Sequence, residues 1–82
     1  MMSTDHLTER VRSLLADAIQ VPVESVTPDL GFGDLPQWDS LGHMEVMLKL
    51  EETFGVEIDT DLIATLISVP DICQFLEKNS HV

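Results

Sequence analysis

Residues 21–39 contain Pro22, Pro28, Pro36, Gly31 and Gly33, and no single helix can pass through them. Each proline removes a backbone donor and pushes the residue before it away from helical angles. The stretch is longer than most connections in compact domains, so it is either functional or packed as irregular structure. Val23, Val26, Leu30, Phe32 and Leu35 are its candidate inward anchors. Trp38, the only tryptophan, stands where its ring can pack beneath the loop or shape the residues just after it.

Helical periodicity flanks this connection. A first helix is predicted over 4–20, where Leu7, Val11, Leu14, Leu15 and Ala18 recur at spacings of three and four and share one face. Ser3 or Thr4 can cap its start, and Pro22 stops it. A second helix is predicted over 40–54. Met47, Leu50 and Phe54 form its apolar seam with Val46 beside them, and Glu45, Lys49, Glu51 and Glu52 lie mostly opposite. Gly55 fits its C-terminal stop. Val56 and Ile58 bracket a short link to a third helix over 60–66, capped by Asp59 or Thr60 and carrying Leu62, Ile63 and Leu66. Pro70 fits the first turn of a fourth helix over 70–78, with Val69, Ile72, Cys73 and Leu76 on a common face and Phe75 next to them. No segment alternates as a strand does. The predicted fold class is therefore all-α: a four-helix bundle of three longer helices and one short one, as a single domain over 1–82.

An 82-residue chain has room for one core and buries roughly 60% of the surface it exposes when unfolded. A hydrophobic fraction of 44% is enough to build that core. Fifteen acids against four bases leave a net charge of -11, which argues against nucleic acid and against anionic membranes. The same charge would steer basic partners toward the chain, or it could serve solubility alone. The single Cys73 fits a reducing cytosol and reads as a small core residue. The polar start of the chain has no signal-peptide pattern, and no apolar run is long enough to span a membrane.

Ser40 comes after the Pro- and Gly-rich loop and opens an apolar-periodic helix. Unpaired N–H groups and the positive end of the helix dipole gather at such a position, so a phosphate attached there would be stabilised. Serine is also a favoured N-cap, and Asp39 could fill that role too. A nucleophilic pair of Ser40 with His43, three residues on, would need an orienting acid and an enclosed pocket, and no Gly-x-Ser-x-Gly elbow is present. His43 is accordingly expected to be an exposed helix residue. Glu57, Asp59 and Asp61 lack the offsets of a calcium loop, and His6, His43, His81 and Cys73 lack zinc spacing, so no metal site is expected.

The run over 39–58, with Asp39-Ser40-Leu41 at its head and Leu50-Glu51-Glu52-Thr53-Phe54 near its end, resembles the signature of the acyl carrier protein family. The likeness in helix order extends over nearly the whole chain. It implies that Ser40 receives 4′-phosphopantetheine from coenzyme A through a phosphopantetheinyl transferase, and that Asp39 helps engage that enzyme. The arm's thiol then carries acyl or aminoacyl groups as thioesters, and the chain is not itself an enzyme. Leu41, Glu45, Leu48, Glu51 and Glu52 match positions that partner enzymes contact: a loading ligase, then downstream synthases or transferases. The resemblance also implies a cytoplasmic monomer. Related carriers of fatty cargo can part their helices along the apolar seam and hold the chain inside. Gly42 and His43 stand where many fatty-acid carriers have an acidic residue, and Lys49 interrupts the acidic surface. The Gly-His-Met pattern is similar to free-standing carriers of specialised pathways. The same fold and charge would also suit an acidic interaction module that carries no arm.

Overall fold

The computed structural model describes residues 3–79, with side chains from residue 6 onward. Four α-helices succeed one another: α1 (Ser3–Ile19), α2 (Ser40–Phe54), α3 (Thr60–Thr65) and α4 (Val69–Asn79). This is the all-α bundle of three longer helices and one short one. The only strand-like pairing among the described residues is an isolated bridge between Gly31 and Ser68.

The helices form where apolar periodicity lets them bury one face, and each end has an identifiable local cause. The cap expected at Ser3 or Thr4 lies outside the described side chains. At its other end α1 stops before proline can act. Gln20 turns left-handed at φ 61°, and the Val21 N–H donates back to the Ala16 carbonyl at 3.0 Å, closing the last turn. In α2, Gly55 takes the left-handed position at φ 67° and donates to the Glu51 carbonyl. Asp59 caps α3, accepting from the Leu62 N–H at 2.9 Å. Ser68 does the same for α4 through Asp71, which lets that helix begin at Val69, one residue ahead of Pro70.

The core draws on the three longer helices and on the loop, with Leu62 and Ile63 of α3 half-buried against it. Val11 and Leu15 of α1, Val46 and Leu50 of α2, Ile72 and Leu76 of α4, and Val26 and Trp38 of the connection are fully buried. Phe32 does not join them. It is 43% exposed, because Trp38 occupies the interior volume and Phe32 lies edge-on against it at 6.3 Å between ring centroids. Val23 and Leu35 are half-buried, and Leu30 is buried.

The long connection is packed irregular structure, with one 3-10 turn over Val23–Ser25. Its backbone is satisfied from both sides. The Phe32 N–H donates to the Ile67 carbonyl at 2.8 Å, and the Val69 N–H to the Leu30 carbonyl at 2.9 Å. From α1, the Arg12 guanidinium donates to the carbonyls of Val23, at 3.1 Å, and Val26. Nη1 of the same guanidinium donates to both carboxylate oxygens of Glu9, at 2.9 and 2.8 Å. Arg12→Met keeps the stem but leaves both loop carbonyls without their charged donor. It is expected to lower unfolding stability by about 2 kcal/mol in urea titration, and a loss under about 0.5 kcal/mol would contradict this role.

Candidate functional site

At the junction of the loop with α2, Asp39 holds an extended backbone (φ −103°, ψ −168°), and its Oδ1 accepts from the Gly42 N–H at 2.9 Å. Its carbonyl accepts from the His43 N–H at 2.7 Å. Asp39 is therefore the N-cap, and Ser40 is the first helical residue. That settles the choice between them: the Ser40 side chain is exposed and is not needed as a cap. The N–H groups of Ser40 and Leu41 precede the first intrahelical acceptors and point out of the helix start. A hydroxyl beside these donors and the positive end of a 15-residue helix is well placed to bear a phosphodiester. The residues present thus fit a phosphate-linked group.

His43 is not on the surface. It is 6% exposed, and both ring nitrogens are engaged. The Trp38 indole N–H donates to Nδ1 at 3.0 Å, and Nε2 lies 2.7 Å from the Ile63 carbonyl. An indole nitrogen can only donate, so Nδ1 carries no proton and Nε2–H donates to Ile63. Phe32 closes the cluster, its ring 5.4 Å from the imidazole and nearly perpendicular to it. Residues 43, 46, 47 and 50 form one buried stripe, and extending the apolar seam of the sequence one turn back would have placed His43 in it. This geometry removes the nucleophilic reading, since the imidazole is committed to Trp38 and Ile63 while Ser40 faces solvent.

Outward from the buried stripe, α2 presents Leu41, Met44 and Leu48, which are 76%, 44% and 51% exposed. Met44 does not stand out in the sequence, although its spacing of three and four from the two leucines marks the same row. Glu45 and Glu52 flank them and are exposed. Glu51 is half-buried, and its carboxylate accepts from the Ile58 N–H at 3.0 Å. Lys49 lies 3.4 Å from the Asp17 carboxylate, so its charge is partly offset within the protein. A shallow groove of about 470 Å³ runs beside the site, between Gln20 at the end of α1 and Gln37, Gly42 and Glu45.

The remaining candidates have structural roles. Asp59 is a helix cap, and among the described residues no group of three or more His, Cys, Asp or Glu could hold a metal ion. Cys73 is 7% exposed. Burial pushes its thiol above the ordinary range, the Thr8 hydroxyl pulls the other way, and the Glu77 charge adds to the rise. It is a core residue in a protonated, unreactive form. No helix of the described residues is long and apolar enough to cross a membrane.

Gly42 has a steric cause. A Cβ there would overlap the backbone carbonyl oxygen of Gln37 and press on Ile19 Cγ2 at 3.3 Å. The loop thus approaches α2 as closely as glycine permits. In an open helix, Gly→Ala gains about 1 kcal/mol. Here Gly42→Ala is expected to lose about 1–3 kcal/mol, read from the thermal or urea midpoint, because the loop must move aside. A stabilised Gly42→Ala variant would contradict the close approach.

Comparison with known proteins agrees with this geometry. The family described as "Phosphopantetheine attachment site" matches residues 9–76. An acyl carrier protein of Thermosynechococcus vestitus is 35% identical over 77 residues, covering 94% of this chain and 95% of that protein. An acyl carrier protein of a Bradyrhizobium species is 38% identical over 72 residues, covering 88% of this chain and 91% of its own length. One from Rhodopseudomonas palustris has the same identity over the same coverage. With this extent of match, and an exposed serine at the start of the second helix, the chain belongs to the phosphopantetheine-attachment family of carrier proteins.

Proposed function

We propose that this chain is an acyl carrier protein whose Ser40 bears 4′-phosphopantetheine. The observation that carries the assignment to Ser40 is the division of labour at the start of α2. Asp39 takes the cap, which leaves the Ser40 hydroxyl exposed at the first helical position beside unpaired N–H groups. In the modification, Ser40 Oγ bonds to the phosphorus that bears the pantetheine of coenzyme A. The bond from that phosphorus to the nucleotide breaks, and the hydroxyl proton passes to a base of the transferase. The attached arm supplies a terminal thiol that holds acyl or aminoacyl groups as thioesters. The chain is a carrier, and catalysis belongs to the enzymes it visits.

Asp39 has a second proposed role in transferase recognition, through the carboxylate oxygen that Gly42 does not occupy. Leu41, Leu48 and Met44 offer an exposed apolar row, and Glu45 and Glu52 offer charge to basic patches on a loading ligase and on downstream synthases or transferases. Glu51 contributes less than its sequence position implies, because its carboxylate is tied to Ile58. A net charge of -11 favours fast, steered encounters, and a small apolar row keeps contacts brief enough for a carrier to move on. The chain is proposed to work as a cytoplasmic monomer over its whole length.

Intact mass spectrometry after incubation with coenzyme A, Mg²⁺ and a broad-specificity phosphopantetheinyl transferase decides between this and an arm-free interaction module. The wild-type chain is expected to gain the mass of one phosphopantetheinyl group, and Ser40→Ala to gain none. No adduct on the wild type would support the arm-free module, and an adduct that persists in Ser40→Ala would move the attachment elsewhere.

A further inference from the structure

With the arm on Ser40, the contacts between α2 and α3 bear on where its acyl end can lie. Residues 40, 44, 47 and 51 succeed one another at spacings of four and three along α2, so Ser40 heads the row that ends at Glu51. Residues 58–63 meet α2 along a seam that His43 and Glu51 bridge. Hydrogen bonds between α2 side chains and backbone groups strap the seam at both ends. Near Ser40, His43 Nε2–H donates to the Ile63 carbonyl at 2.7 Å. At the far end, the Ile58 N–H donates to Glu51 Oε2 at 3.0 Å. Trp38 fixes the other nitrogen of His43, and Met47 and Leu50, 2% and 0% exposed, fill the space between.

An alkyl chain entering this seam would have to part the buried His43 imidazole, 6% exposed, from its carbonyl partner and leave a polar ring nitrogen facing apolar cargo. It would then lie against an imidazole and a bare carbonyl. A close-packed interior has little spare volume to offset that loss. A short or polar acyl group loses little by remaining in water.

We infer that the cargo of this carrier stays outside the helices, and that the arm serves short or polar acyl groups, such as aminoacyl or hydroxyacyl, rather than long alkyl chains. The inference rests on attachment at Ser40. The test loads the wild-type chain from acetyl-, octanoyl- and dodecanoyl-coenzyme A with a promiscuous transferase. Each adduct is verified by intact mass before thermal melts and ¹H–¹⁵N spectra are recorded. The expected result is one common Tm, with the amide signals of Ile58, Ile63 and Leu66 unmoved by chain length. A Tm that climbs with chain length, accompanied by shifts at those amides, would overturn the inference while leaving the carrier reading intact. Absence of any adduct would overturn both. The double variant Trp38→Phe/His43→Leu, which removes the upper strap, is expected to make Tm depend on chain length. A folded double variant that stays indifferent to chain length would show that the strap is not what excludes cargo. Should it not fold, the wild-type series decides the matter.

Discussion

A largely buried chain of hydrogen bonds from the Trp38 indole through the His43 imidazole to the Ile63 carbonyl ties together three parts of this protein. Trp38 ends the long connection, His43 lies in the first turn of α2, and Ile63 belongs to the short α3. Asp39 and Ser40 lie between the first two, so the residues that form the site are braced on both sides. Within that brace, Asp39 receives the Gly42 N–H on its side chain and the His43 N–H on its carbonyl. Removing one polar partner from such a chain strands a buried donor or acceptor, which is more damaging than the loss of a single exposed contact.

The brace explains why the serine can be left free. A helix start needs its N–H groups satisfied, and a serine in that place is normally used as the cap. Here Asp39 supplies the cap and Gly42 lets the Gln37 carbonyl come close. Ser40 then stands exposed where backbone dipoles favour a phosphate. Around it, the outer face of α2 combines a narrow apolar row with acidic flanks, the surface proposed for brief engagement by basic partners.

The fold is largely legible in the sequence, because helices at this chain length are set by the periodicity of residues such as Leu7, Val11, Leu14 and Leu15, and by proline and glycine punctuation. Ser40 and Asp39 stand out by type and position, and the structure resolves which of the two acts as the cap. What escapes the sequence depends on tertiary contact. Arg12 reads as one polar residue of an amphipathic helix, and nothing local shows that its guanidinium reaches two loop carbonyls. The polarity of histidine argues for exposure at His43, although its spacing from Val46, Met47 and Leu50 places it in the buried stripe. Size alone makes Phe32 an anchor, yet Trp38 already fills the interior. Glu51 reads as surface, and its bond to Ile58 depends on how the chain returns after Gly55.

The geometry of the site depends on the Trp38–His43–Ile63 chain, and nitrogen NMR of the ¹⁵N-labelled protein at neutral pH tests that chain most directly. The structure requires one imidazole tautomer for His43, with the proton on Nε2 and a bare Nδ1, together with a Trp38 indole N–H protected from solvent exchange. An imidazole averaging between tautomers, beside an indole N–H that exchanges like an exposed one, would contradict it.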